Sequence, residues 1–132
     1  MPIDLIYVDD EPDIRTIVAF ALEDEPDLVV RLAASGAEAL RMVGERRPDL
    51  VLLDVMMPQM DGPATLAALR RVAGDGLPVA FVTAKAQPRE VAALAALGAR
   101  AVLTKPFDPL ALADQVRALV GSQTLTPRAG TT

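Results

Sequence analysis

The chain alternates short apolar runs with longer amphipathic stretches, five times over. The apolar runs are Ile3–Val8, Leu28–Leu32, Leu50–Leu53, Val79–Val82 and Ala101–Leu103. They are rich in Val, Leu and Ile, and near-continuous apolar character marks strands buried on both faces rather than half-solvated ones. Between the runs the spacing turns helical. Ile14, Ile17, Val18, Ala21 and Leu22 recur at i, i+3, i+4, i+7 and i+8, and Leu112, Val116, Leu119 and Val120 form a similar stripe near the far end.

The punctuation supports this division. Ser35-Gly-Ala-Glu38 has the form of a capping box opening the second helix. Asp108 followed by Pro109 predicts an N-cap with Pro at the first helical position. Gly98 and Gly121 are placed to end the fourth and fifth helices as left-handed caps. Gly44 weakens the second helix by about 1 kcal/mol relative to Ala. Five strand–helix units in a row predict a parallel sheet with helices on both faces. Right-handed crossovers then make it a doubly wound open α/β sheet. The sequence contains no low-complexity tract and no repeat beyond the strand–helix unit. Residues 122–132 lack periodicity and contain Pro127 and Gly130, which predicts a flexible tail or linker stump after one domain over residues 1–121.

Composition narrows the possible chemistry. The 132 residues make one domain, and 52% hydrophobic with 23% charged residues can build a real core. The longest unbroken apolar run, Val91 to Leu97, is far short of a membrane span. The N-terminus has no basic region followed by a long apolar stretch, so the expectation is a cytoplasmic protein with no membrane partner. A net charge of −5 argues against direct nucleic-acid binding. The chain contains neither Cys nor His. Disulfides, thiolate nucleophiles, His-ligated zinc and His general-base catalysis are therefore excluded. What remains is carboxylates, hydroxyls, Lys, Arg and bound ions.

In a doubly wound sheet, function gathers beyond the carboxyl ends of the strands. The first strand is followed by Asp9-Asp10-Glu11, the third by Asp54, the fourth by Thr83 and the fifth by Lys105. Each has an ordinary structural explanation. Acids after a strand cap helices, Asp61-Gly62-Pro63 is turn chemistry, Thr83 can end a strand and Lys105 can be a solvated charge. Together they place acids, a hydroxyl and an ammonium on one sheet edge. Carboxylates ~4 Å apart repel by about 4 kcal/mol per pair at an effective dielectric near 20. A divalent ion removes that cost, and an all-oxygen site with few carboxylates suits Mg²⁺. Thr83 and Lys105 could each hold a phosphoryl oxygen, leaving Asp54 as candidate nucleophile for an acyl phosphate.

At this point the sequence resembles the receiver domains of two-component response regulators, from Ile3 to about Val120. The resemblance rests on Val8-Asp9-Asp10-Glu11, on Leu53-Asp54-Val55-Met56-Met57-Pro58-Gln59-Met60-Asp61-Gly62, on Val82-Thr83-Ala84-Lys85 and on Leu103-Thr104-Lys105-Pro106-Phe107. It implies a flavodoxin-like (βα)5 sheet of order 2-1-3-4-5 and a cis Lys105–Pro106 bond. It implies that Asp54 takes a phosphoryl group from a phosphohistidine on a sensor histidine kinase or histidine phosphotransfer protein. Asp10, Asp54 and the Met56 backbone carbonyl would ligate Mg²⁺, with Asp9 acting largely through water. Thr83 and Lys105 would grip the phosphoryl oxygens and shift, altering the surface of the fourth helix, fifth strand and fifth helix for a downstream protein. Such a module is a signalling receiver rather than an enzyme.

One position departs from the pattern. Val102 stands where the family usually has Tyr or Phe, and it has no ring to swing. Gly98-Ala-Arg-Ala-Val102 also lacks the acidic pair common in receivers that dimerise on DNA, so that dimer is not expected. The competing readings are a phosphorylation-independent interaction module, a receiver fragment of a larger regulator, and an aspartyl-phosphate hydrolase on a related sheet. The last typically carries two Asp residues two positions apart after the first strand, unlike the adjacent Asp9-Asp10 here.

Overall fold

A computed structural model describes residues 2–85 and 87–129. In chain order the elements are β1 (Ile3–Val8), α1 (Pro12–Leu22), β2 (Leu28–Ala33), α2 (Gly36–Glu45), β3 (Leu50–Asp54), α3 (Gly62–Ala73), β4 (Val79–Thr83), α4 (Pro88–Ala96), β5 (Val102–Thr104) and α5 (Leu112–Ala129). All strand pairs are parallel, in the order β2-β1-β3-β4-β5.

Alternation along the buried strands divides the core in two. Ile6, Val8, Val51, Leu53, Val79 and Phe81 face α2, α3 and α4, where they meet Ala39, Val43, Leu66, Leu69 and Leu94. Leu5, Tyr7, Leu50, Leu52, Ala80 and Val82 face α1 and α5, against Val18, Leu22, Leu112, Ala113 and Val116. β3 and β4 are buried throughout, whereas the edge strands β2 and β5 are only partly covered. Two-sided burial explains why these strands read as apolar runs rather than as alternating ones.

The caps hold in part. Ser35 Oγ accepts from the Glu38 N–H at 3.1 Å, while the Glu38 carboxylate reaches back to the Ala34 N–H instead of that of Ser35. Gly98 adopts φ 94° and ends α4 as expected. Asp108 does not cap α5. Its Oδ1 accepts from the Leu110 N–H at 2.9 Å in a turn that precedes the helix, which begins three residues after Pro109. Gly121 is not a cap either, because α5 runs through it to Ala129. A single Gly costs a helix interior only about 1 kcal/mol, too little to stop one already docked on the sheet. The expected tail, 122–132, is thus helical as far as Ala129, and 130–132 lie outside the described residues.

Candidate functional site

The strand order reverses beside β1, which has β2 on one side and β3 on the other. The carboxyl ends of β1 and β3 therefore open into the same crevice. Asp9 follows Val8, and its N–H still donates to the Ala33 carbonyl at 3.0 Å, so it extends β1 by one residue. Asp54 is the last residue of β3, in register with Val82. Thr83 ends β4, and its carbonyl accepts from the Lys105 N–H at 2.8 Å, which anchors Lys105 just beyond β5. The Lys105–Pro106 bond is cis.

These placements bring the acids together. One carboxylate oxygen each from Asp9, Asp10 and Asp54 lies within 4.8 Å of the others, a cluster that could hold a metal ion. Asp9 and Asp54 are buried, whereas Asp10 is partly exposed. Lys105 Nζ stands 2.9 Å from Asp9 Oδ2, 3.3 Å from Asp54 Oδ1 and 3.3 Å from Glu11 Oε1. The ammonium is thus the counter-charge to three carboxylates at once. Asp10 makes no ion pair or hydrogen bond among the described residues, so it is the acid most open to an incoming cation.

Burial, and then the charge of Asp9, raise the Asp54 pKa from 3.8 to about 6, with Lys105 opposing both. For Lys105, burial favours the neutral amine, but the bond to Asp9 and the charges of Asp54 and Asp9 outweigh it and leave the ammonium more firmly protonated than usual. Buried carboxylates that repel and an ammonium that bridges them form a site whose charge is unfinished without a further cation.

Thr83 sits on the same edge, but its hydroxyl is engaged within its own loop. It accepts from the Lys85 N–H at 3.0 Å and lies 3.3 Å from the Lys85 carbonyl, to which it can donate. The Met56 side chain is exposed, so only its backbone can belong to the site. Asp61 plays the turn part expected of it, accepting from the Ala64 N–H at the start of α3.

Several contributors are not apparent from the strand ends alone. The Tyr7 hydroxyl donates to Asp9 Oδ2 at 2.9 Å, and burial, followed by the charge of Asp9, keeps it protonated well above the ordinary phenol range. Tyr7 and Asp9 are two apart and share a strand face, the one sequence signal that could have linked them. Arg15, one turn into α1, donates to the Asp9 carbonyl at 2.7 Å. Asp9 Oδ1 accepts from the Glu11 N–H at 3.0 Å, so Asp9 both stabilises the entry to α1 and belongs to the cluster. At Gly62 a Cβ would lie 2.7 Å from the Asp54 carbonyl oxygen and 2.8 Å from the Val55 Cα. The start of α3 passes directly behind the acid, and only Gly permits that approach.

A doubly wound sheet with a buried carboxylate at its switch point, flanked by acids on one side and an ammonium on the other, defines a receiver-type signalling domain. Residues 5–117 match the family model for the response regulator receiver domain, and the chain belongs to that family. It is 42% identical over 130 residues to response regulator Rre1 of Synechocystis sp., covering 98% of this chain and 56% of that protein. To response regulator MprA of Mycobacterium sp. (strain KMS) it is 38% identical over 120 residues, 91% of this chain and 51% of that protein. The chain therefore spans about half the length of these relatives. Among solved structures, the chemotaxis protein CheY4 of Vibrio cholerae superposes with a TM-score of 0.82 at 31% identity, covering 90% of this chain and 99% of that one. NtrX from Brucella abortus gives 0.86 at 29% identity over 98% of this chain and 30% of that one. Receivers of this family are signalling modules that work with histidine kinases and downstream effectors. Among the described residues, no helix is long and apolar enough to cross a membrane.

Proposed function

We propose that this chain is a phosphorylatable receiver that accepts a phosphoryl group on Asp54 from the phosphohistidine of a sensor histidine kinase or histidine phosphotransfer protein. One observation carries the reading. The carboxylates of Asp9, Asp10 and Asp54 share one 4.8 Å cluster, with the Lys105 ammonium 3.3 Å from Asp54. An Asp54 oxygen attacks phosphorus, the P–N bond to the donor imidazole breaks with its electron pair going to nitrogen, and an acyl phosphate forms. No His occurs in these 132 residues, so the donor ring lies outside them.

The donor set fits a hard divalent cation, because it is all oxygen and one carboxylate, Asp10, is open. Asp10, Asp54 and the Met56 carbonyl would hold Mg²⁺, with Asp9 contributing mainly through water. When bound, the ion screens the incoming phosphoryl group from the carboxylates. Lys105 exchanges part of its contact with Asp9 for a phosphoryl oxygen. Thr83 releases the Lys85 backbone to donate to another. Both motions pull on the ends of β4 and β5, which alters the α4–β5–α5 surface that docks a downstream protein. Nucleic acid is not contacted by this domain.

Intact mass after incubation with a small acyl-phosphate donor tests the assignment. One phosphoryl group is expected, with Mg²⁺ present and Asp54 intact. Equal modification in chelator, or modification that persists in Asp54→Ala, refutes it. A second reading, a phosphorylation-independent interaction module in a longer regulator, is favoured only by Val102, a partly buried residue without a ring in register with Phe81. Unchanged partner binding by the phosphorylated form would support it.

A further inference from the structure

Tyr7 is the chain's one tyrosine, and it is completely buried on the central strand β1. Its neighbours on that face are Leu5, Leu50, Leu52 and Val82, among which an apolar ring would pack equally well. A buried hydroxyl is costly unless it is bonded, and this one is bonded to the acidic cluster. We propose that Tyr7 is a positioning residue for the metal and phosphoryl site, holding Asp9 in place so that Lys105 is free to move. The inference rests on the reading of the cluster as a Mg²⁺-assisted phosphoacceptor site.

The geometry divides the donors to Asp9 into fixed and mobile ones. Oδ1 accepts from the Glu11 N–H at 3.0 Å, and the backbone carbonyl accepts from Arg15 at 2.7 Å. Oδ2 has two partners at the same distance, the Tyr7 hydroxyl at 2.9 Å and Lys105 Nζ at 2.9 Å. Lys105 is shared with Asp54 and Glu11, each at 3.3 Å, on a flexible stem. Tyr7 is shared with nothing and its ring is set in the core. When Lys105 turns toward a phosphoryl group, the Tyr7 hydroxyl keeps Oδ2 paired and the carboxylate plane unchanged. Without it, Asp9 would depend on Lys105 and compete with the phosphoryl group for that ammonium. The Tyr7 ring also meets Phe107 edge to face, with centroids 6.3 Å apart and planes at 76°. The same residue thus braces the segment two positions past Lys105.

The chain has no Trp, so emission excited beyond the phenylalanine absorption band reports on Tyr7 alone. A tyrosine bonded to a carboxylate is quenched, and a cation that draws charge from that carboxylate changes the yield even while the bond is kept. Titrating the native chain with Mg²⁺ should change the emission saturably, on the same curve as calorimetric binding. Tyr7→Phe keeps the ring and loses only the hydroxyl. Its Mg²⁺ affinity by calorimetry should fall by about fivefold, less than the roughly tenfold or greater loss usual for a partner directly behind a metal ligand, because Asp9 reaches the ion mainly through water. A purely structural role would lower the urea midpoint in chelator and leave that affinity alone. A Tyr7→Phe affinity within about twofold of native, well under the usual loss, or native emission indifferent to Mg²⁺, overturns the inference. If the native chain binds no Mg²⁺ by calorimetry, the metal-site reading falls with it. If it binds and Tyr7→Phe binds equally, only the part assigned to Tyr7 falls.

Discussion

Replacing Asp54 with Asn should stabilise the metal-free protein, and the gain should depend on pH in a calculable way. The native Asp54 carboxyl titrates at about 6 instead of 3.8, because burial and the charge of Asp9 favour its neutral form. That displacement corresponds to about 3 kcal/mol between charged and neutral forms. Since folding raises the pKa, the group's favourable contribution is fully present below 3.8 and is lost as the pH climbs through about 6. Asn mimics the neutral form at every pH. In chelator at pH 7.5, Asp54→Asn should therefore be more stable than the native chain by up to about 3 kcal/mol, or roughly 10 °C in melting temperature. Near pH 4 the two should converge. Urea unfolding of both proteins between pH 4 and 7.5 measures this directly, and carboxylates common to both cancel in the difference. Adding Mg²⁺ at pH 7.5 should close the gap, because binding linkage favours the protein with the full carboxylate set. A stability difference that does not vary with pH, or a less stable Asn variant at pH 7.5, would refute the claim that Asp54 is held charged against its surroundings.

Two further substitutions probe the frame around the site. Gly62→Ala forces a Cβ against the backbone of Asp54 and Val55, and should cost about 1–3 kcal/mol by urea unfolding while slowing phosphorylation; an unchanged midpoint would show that the approach is not tight. Val102→Tyr should alter partner affinity or its response to phosphorylation, within the 1–3 kcal/mol typical of such coupling or less, and leave the rate at Asp54 nearly unchanged. A variant that loses phosphorylation with partner coupling intact would assign Val102 to the support of the site instead.

The five strand–helix units were legible from the sequence because hydrophobic period and turn chemistry are local properties. Ile3–Val8 and Leu50–Leu53 read as buried strands, and the acids just past them then fall at their carboxyl ends. Asp9, Asp10, Asp54, Thr83 and Lys105 were likewise visible as groups sharing one edge once a parallel sheet was inferred. The strand order came with the family resemblance and is set in space by pairing β1 between β2 and β3. Other features belong to packing alone. Helix ends are decided by small differences, so α5 passes Gly121 and starts beyond Asp108. The Thr83 hydroxyl faces Lys85, since a rotamer answers to whichever polar group its loop places nearest. Tyr7 reads as one more apolar residue in a buried run, and only the tertiary structure, by bringing Lys105 to the oxygen that Tyr7 already holds, turns that residue into part of the site.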